Sequence, residues 1–589
     1  MEYELLSQIH SPEDIRKMDI GQLSRLAAEM RAALIHKLSA TGGHVGPNLG
    51  MVEATIALHY VFDTPSDKLI FDVSHQCYLH KMLTGRVQAF TEAAHYKDVN
   101  GFTNPRENAD YDLFSIGHTS TALSLASGIA KARDLAGGKE NVVAVVGDGS
   151  LGGGMALEGL DFGSTLGTNF IVVVNDNDMS IAENHGGLYA DLRLLRHSNG
   201  TAEPNIFRSM GYSYRYVNYG NDLWRLIEAF REVKDYPHPV VVHINTMKGM
   251  GLPVAESNKE HFHYTGPFDP KSGTGLRQPA AGTEEADYTD IFAEHMLGKI
   301  EKGENVAVLT AGTPAAIGFT AALRRRAGRR FIDVGICEQQ AVGMSAGLAK
   351  AGVRPVFGVV STFLQRAYDQ LSHDVGINNL PAVFPVFHTG LFSMNDETHL
   401  GFFDIAMIGN IPNFLYLAPT CSEEFLAMLD WAIAQTSMPV AVRVPGTKVV
   451  SNPECRLLND YSAPDYDIVR SGSKVAIIGA GTFFDRAAKA ADLLQEDGIN
   501  ATLINPRSFT HLDTAVLDSL RDYDTVVTLE DGIVEGGFGQ KVASYLGTAP
   551  VKVVNLGLPK EFLNRYNAAK VAHDRHLDPA QIAAIARGE

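Results

Sequence analysis

Residues 147–181 read GDGSLGGGMALEGLDFGSTLGTNFIVVVNDNDMSI. They follow the β-branched run NVVAVVG of 141–147 and contain a second such run, FIVVVN, at 170–175. A short apolar run, a glycine turn, a helical stretch and another apolar run make one parallel strand–helix–strand unit. In that unit Asp148 and Asn177 each follow a strand, so both side chains emerge at the C-terminal edge of one sheet. Open α/β sheets bind ligands at this edge. Similar runs recur at 305–310, 354–360, 474–479 and 523–529. The expected fold class is α/β, with three parallel-sheet domains. Gly- and Pro-rich or mixed polar stretches separate them: 1–265, a linker 266–283, 284–450, a linker 451–461, and 462–589.

The bulk numbers agree with that plan. A chain of 589 residues exceeds one hydrophobic core. A net charge of -18 argues against nucleic acid or an anionic membrane surface as partner, since both reward basic patches. Cys77, Cys337, Cys421 and Cys455 are scattered and form no CxxC pair, which suggests neither a disulfide framework nor zinc. A reducing cytoplasm is the expected setting. The N-terminal residues are acidic and lack a signal-peptide apolar run, and no stretch has the length of a membrane span.

The residues at the sheet edge indicate a chemistry. A carboxylate and an amide oxygen suit Mg²⁺, which takes further oxygens from bound phosphates. Glycines at 147, 149 and 152–154 let backbone N–H groups approach a diphosphate at a helix N-terminus. GDG alone is an ordinary tight turn. GDG, the helix, the strand and NDN together form the thiamine diphosphate fingerprint. A thiamine enzyme also needs a carboxylate beside the cofactor's aminopyrimidine, where it favours the tautomer that deprotonates the reactive carbon. In RRFIDVGICEQQAVGMSAGLA, Glu338 opens a helix and is the candidate. Its bland alternative is an acid favoured by the helix dipole. His44, His75, His118 and His263 sit in short glycine-containing or polar motifs. Histidine suits proton shuttling to a developing alkoxide.

Several longer stretches resemble the 1-deoxy-D-xylulose-5-phosphate synthase family of the transketolase superfamily. They are GGHVGPNLGMVEATIALHYVF, DVSHQCYLHKMLTGR, NDNDMSIAEN, STFLQRAYDQLSHDV, THLGFFDIA and EGGFGQ. The resemblance implies a transketolase-like fold of diphosphate-binding, pyrimidine-binding and C-terminal domains, thiamine diphosphate and Mg²⁺ as cofactors, and a homodimer. It implies small-molecule substrates: pyruvate as two-carbon donor and D-glyceraldehyde 3-phosphate as acceptor. Carried over by motif, Asp148, Asn177 and Met179 would hold the metal. His75, Gly117, His118, Thr119, Gly149 and Ser150 would line the cofactor, and Phe363 would stack on its pyrimidine. Glu338 would activate it, while His44, His263, Arg366 and His399 would face substrates.

The match fails in places. The family's Asp-Arg pair before the glycine of PVFHTG is Phe387 and His388 here, and an arginine of its VRYPRG motif is Gly446. Val360, Gln340, Asn395 and Leu252 also depart, from Tyr, His, Asp and Tyr. By the family pattern the two arginines hold the acceptor's phosphate, at about 1.5–3 kcal/mol per charged contact. Arg354 and Lys448 are nearby bases in sequence. Three readings stay open on the sequence: a synthase with an altered phosphate site, a paralogue with another acceptor or donor performing ketol transfer or acyloin condensation, and a non-catalytic cofactor-binding protein.

Overall fold

The computed structural model describes residues 3–276, 287–446 and 448–589. They fall into two compact units, 1–283 with 335–337 and 284–334 with 338–589. Among the described residues no helix is long and apolar enough to cross a membrane.

The first unit is built on five strands: β1 (Lys68–Phe71), β2 (Val142–Gly147), β3 (Phe170–Asp176), β4 (Ser213–Val217) and β5 (Pro239–Asn245). They run parallel in the order β1-β2-β3-β5-β4. β2 and β3 carry valine on both faces because helices cover both faces of the sheet. The register pairs Gly147 with Asn175. The helix Gly154–Gly163 carries the chain back, so Asp148 and Asn177 leave adjacent strands at one edge.

The second unit holds two sheets. The first contains β6 (Val306–Thr310), β7 (Phe331–Asp333), β8 (Arg354–Phe357), β9 (Val359–Val360), β10 (Val383–Phe387), β11 (Leu415–Leu417) and β12 (Val440–Arg443). Its order is β11-β12-β10-β8-β6-β7, with β9 beside β10, and all its pairings are parallel. The second contains β13 (Asp467–Arg470), β14 (Val475–Gly479), β15 (Thr502–Asn505), β16 (Thr525–Ile533) and β17 (Lys552–Leu558), in the order β13-β15-β14-β16-β17. β13 is antiparallel to β15 and makes an exception to the all-parallel expectation. Its exposed Ile468 and Val469 mark it as an edge strand, for which no crossover helix is needed. One apolar cluster runs through both sheets, from Phe384 on β10 to Ala476 and Ile478 on β14. Buried ions join them too: Arg443 donates to Asp404 at 2.7 Å and also pairs with Asp531.

The two linkers differ from a free tether. The described part of 266–283 packs on the first unit, where Phe268 is buried against Phe262 with ring centroids 5.1 Å apart. Residues 277–283, and the first three residues of the block 284–450, lie outside the described residues. Residues 451–461 form no helix or strand, yet Tyr461 is buried against Trp431. An aromatic ring in a polar stretch supplies enough apolar area to anchor it.

Candidate active site

In the first unit the strand ends build a polar floor. Asp148 is 2% exposed, and its carboxylate accepts hydrogen bonds from the Met179 N–H at 3.1 Å and the Asn184 amide at 2.9 Å. Burial, and then the Asp176 charge, push the Asp148 carboxyl well above the usual carboxylate range. Burial opposes ionisation of Asp176 too, but hydrogen bonds from His243 and Arg196 hold it at about 2. The side-chain oxygens of Asn177 and Asn184 are buried with no hydrogen-bond partner. Buried polar atoms are almost always paired, so acceptors left open beside a costly carboxylate suit a cation. An oxygen-only set of this kind suits Mg²⁺.

The glycines shape the same floor. A Cβ on Gly149 would overlap Ser180, and one on Gly153 would overlap the Ser120 hydroxyl. Ser120 ties two strand ends together: its N–H donates to Asp72 beyond β1 at 2.8 Å, and its hydroxyl donates to the carbonyl of Ser150, beyond β2, at 2.8 Å. Gly117, His118 and Thr119 immediately precede it, on the way to the helix Ala122–Ala136. The turn after β1 is strained, with Val73 at φ 57° and Ser74 at φ 63°. A β-branched residue there costs on the order of 1–3 kcal/mol and persists only where its surroundings over-determine it. Here the buried Ser74 hydroxyl donates to the Ile116 carbonyl at 2.7 Å and accepts from the Thr103 N–H at 2.8 Å. That anchoring presents His75.

Three histidines from distant segments meet. The His44 and His75 rings lie 5.1 Å apart, His75 and His263 stack at 5.2 Å, and His44 stands 5.8 Å from His263. Phe102 and Tyr264 flank His44 at 5.6 and 4.9 Å. Burial drives His263 well below the ordinary histidine range, with Lys248 adding to the shift. Lys248, which the motif reading did not single out, donates to the Ser180 carbonyl at 2.6 Å and lies 3.1 Å from His263 Nδ1. Burial lowers its ammonium to about 8 against the pull of Asp148. A buried cation beside a glycine cradle suits a diphosphate.

The second unit carries the other candidates. Glu338 is the first residue of the helix Glu338–Lys350 and is 2% exposed. Burial raises its carboxyl, opposed by Arg366, whose Nη1 lies 3.3 Å away. Phe363 faces the His399 ring edge-on at 5.6 Å. His399 is pushed down by burial, and its Nδ1 is 2.8 Å from the Thr398 hydroxyl.

Most of the departures from the family pattern group in space in this unit. Phe387 and Val360 are direct cross-strand partners, and Phe387 is buried with its ring 5.1 Å from Phe292. His388 sits at φ 52°, with burial lowering its pKa. A Cβ at Gly446 would strike the Thr389 carbonyl. Gln340 is exposed and Leu252 is buried in the first unit. Arg354 opens β8 and pairs with Val306, the first residue of β6, so it lies at the opposite edge of the sheet and cannot replace the missing bases. Lys448 follows β12 on the edge that carries His388.

Comparison with known proteins places the chain in its family. The 1-deoxy-D-xylulose-5-phosphate synthase model matches residues 6–203, the pyrimidine-binding domain of transketolase matches 284–450, and the transketolase C-terminal domain matches 465–582. The 1-deoxy-D-xylulose-5-phosphate synthase of Symbiobacterium thermophilum is 38% identical over 98% of this chain and 94% of its own length. Those of Desulforudis audaxviator and Chlorobaculum tepidum are 38% and 36% identical over 95% and 99% of this chain. With this similarity running the length of the sequence, the chain belongs to the 1-deoxy-D-xylulose-5-phosphate synthase family of thiamine diphosphate-dependent transferases.

Proposed function

We propose that the enzyme joins the two-carbon fragment of pyruvate to D-glyceraldehyde 3-phosphate, with loss of carbon dioxide. The observation that carries this reading is one chain holding both the open side-chain oxygens of Asn177 and Asn184 beside the buried Asp148 and a buried carboxylate at Glu338. Thiamine diphosphate, when bound, supplies the nucleophilic carbon and the electron sink. Asp148, Asn177 and the Met179 carbonyl would hold Mg²⁺ against the diphosphate. The backbone at Gly149 and Ser150, with Gly117, His118, Thr119 and His75, would line the cofactor, and Lys248 would neutralise its phosphates. Phe363 would stack on the pyrimidine. Glu338, its carboxyl pKa raised by burial, would hold a proton at the ring nitrogen, and Arg366 would keep it oriented.

The histidines move the remaining protons. Burial holds the His263 pKa well below the ordinary histidine range, and His44 stands 5.8 Å from it, so both imidazoles are placed to give or take a proton at a developing alkoxide. His399, its pKa lowered by desolvation, would serve the acceptor side. His388 and Lys448 are the groups offered to the acceptor's phosphate where the family has arginines. The chain works as a homodimer in the cytoplasm, with three domains: 1–265, 284–450 and 462–589.

The test is to incubate the purified protein with thiamine diphosphate, Mg²⁺ and pyruvate, with and without D-glyceraldehyde 3-phosphate, and to follow products by NMR. Deoxyxylulose phosphate should accumulate only in the complete mixture. Pyruvate loss without that product would overturn the acceptor assignment, and no pyruvate loss would overturn the donor.

A further inference from the structure

We propose that Tyr566, far along the chain in the C-terminal segment, is a positioning residue for the reaction and acts through the loop 388–402 that carries His399. The inference rests on the reading above, in which His399 serves the acceptor.

The loop has no helix or strand of its own. A long irregular loop inside a compact unit needs external ties to hold one shape. Its base is closed by its own backbone, with the Gly390 N–H donating to the Gly401 carbonyl at 2.7 Å. Its tip is tied by Tyr566. The Tyr566 hydroxyl donates to the Leu391 carbonyl at 2.9 Å and shares that hydrogen with the Met394 carbonyl at 3.2 Å. The Asn395 side-chain amide reaches back and donates to the Tyr566 carbonyl at 3.1 Å. The Tyr566 ring also stands edge-on to Phe402, with centroids 6.4 Å apart. Burial lifts the phenol to about 12, so it stays a donor at any working pH.

From the tip the order passes directly to the histidine. Asp396 follows Asn395, and its carboxylate accepts from the Thr398 N–H at 3.0 Å and the Thr398 hydroxyl at 2.6 Å. The Asp396 carbonyl accepts the His399 N–H at 2.9 Å. The Thr398 hydroxyl then lies 2.8 Å from His399 Nδ1, which sets the ring's orientation against Phe363. Each step is a short contact between neighbouring groups. Slack at Tyr566 therefore reaches the imidazole without a change of fold.

The experiment uses the full-length enzyme and Tyr566→Phe, which keeps the ring and removes the hydroxyl. Hydrogen exchange read by mass spectrometry should show the amides of 390–399 exchanging about fivefold to tenfold faster, with the rest of the chain unchanged. The KM for D-glyceraldehyde 3-phosphate should rise by a similar factor, about fivefold, while pyruvate decarboxylation without acceptor stays within about twofold. Asn395→Ala, which cuts the same tie from the loop side, should do likewise. In a His399→Asn background the Tyr566→Phe effect on the acceptor should vanish, because coupled residues are non-additive. Unchanged exchange in the loop, or effects of the two substitutions that add, would overturn the proposal. If the unsubstituted enzyme makes no deoxyxylulose phosphate, the assigned function fails, whereas the exchange measurement still decides whether Tyr566 holds the loop.

Discussion

The strand-end floor of the first unit and the loop 388–402 of the second are built by opposite means. The floor is made at strand ends, from residues one or two positions beyond β1, β2 and β3, so strand register alone brings Asp72, Asp148 and Asn177 to one edge. The loop is made by ties from elsewhere: Tyr566 at its tip, Asp531 against Gly390, and the Thr389 hydroxyl donating to the Val444 carbonyl at 2.8 Å. A site at strand ends tolerates little change, because each position is set by the sheet. A loop held from outside can change its side chains while keeping its path. The departures from the family pattern fall mostly in and around the loop.

Substitution should separate the two regions by size of effect. Glu338→Ala is expected to lower turnover by about 10³-fold while cofactor affinity changes by less than about tenfold, since it removes proton handling and not phosphate binding. Steady-state kinetics and a cofactor titration check this. Lys248→Met should weaken cofactor binding by about 10- to 100-fold with a smaller loss in turnover at saturation. Its ammonium is lost as pH rises through about 8, so the unsubstituted enzyme's cofactor Kd should climb above that pH, by up to about tenfold per unit. The variant should lack that slope, and fluorescence titrations at pH 7 and 9 distinguish the two.

The loop should behave differently. His388→Arg is expected to lower the KM for the phosphorylated acceptor by about tenfold, the worth of one charged contact. Gly446→Arg should give no such gain. Its Cβ meets the Thr389 carbonyl, so it is expected to cost about 1–3 kcal/mol of stability, read by denaturant unfolding. Equal gains from both arginines would break the comparison, because the loop would then be shaped by the same fixed register as the floor.

The smallest effect concerns Glu530, next to the Asp531 that abuts the loop. It caps the helix Phe538–Leu546 by accepting the Phe538 and Gly539 N–H groups at 2.9 and 2.8 Å. Burial raises its carboxyl to about 7. The folded state then binds a proton between about pH 4.5 and 7 that the unfolded chain releases, so stability falls as pH rises through that window. Glu530→Gln should flatten the dependence, as followed by thermal unfolding across that range.

The meeting of Asp148 and Asn177 was legible because both lie in one strand–helix–strand unit, whose register brings them to one edge. Glu338 was legible as a helix-opening acid, and the helix does start there. Lys248 was not singled out, although it follows β5 at the same edge, because one lysine carries no periodic signal. Asn184 escaped for the same reason. Arg354 is a nearby base in sequence. Its place at the start of a strand puts it at the wrong edge. The antiparallel β13 has four residues, too few for a pattern to give its direction.

By itself the sequence determined the α/β class, the parallel strands, the sheet edge at which Asp148 and Asn177 emerge, and the family. These depend on local periodicity and on motifs whose residues are neighbours along the chain. Only the tertiary structure decided that His44, His75 and His263 meet, that Val360 and Phe387 face each other across β9 and β10, and that Tyr566 reaches the loop of His399. Those contacts join residues tens to hundreds of positions apart. They form only when burial of the apolar clusters brings the segments together, and local propensity carries no record of which partners will meet.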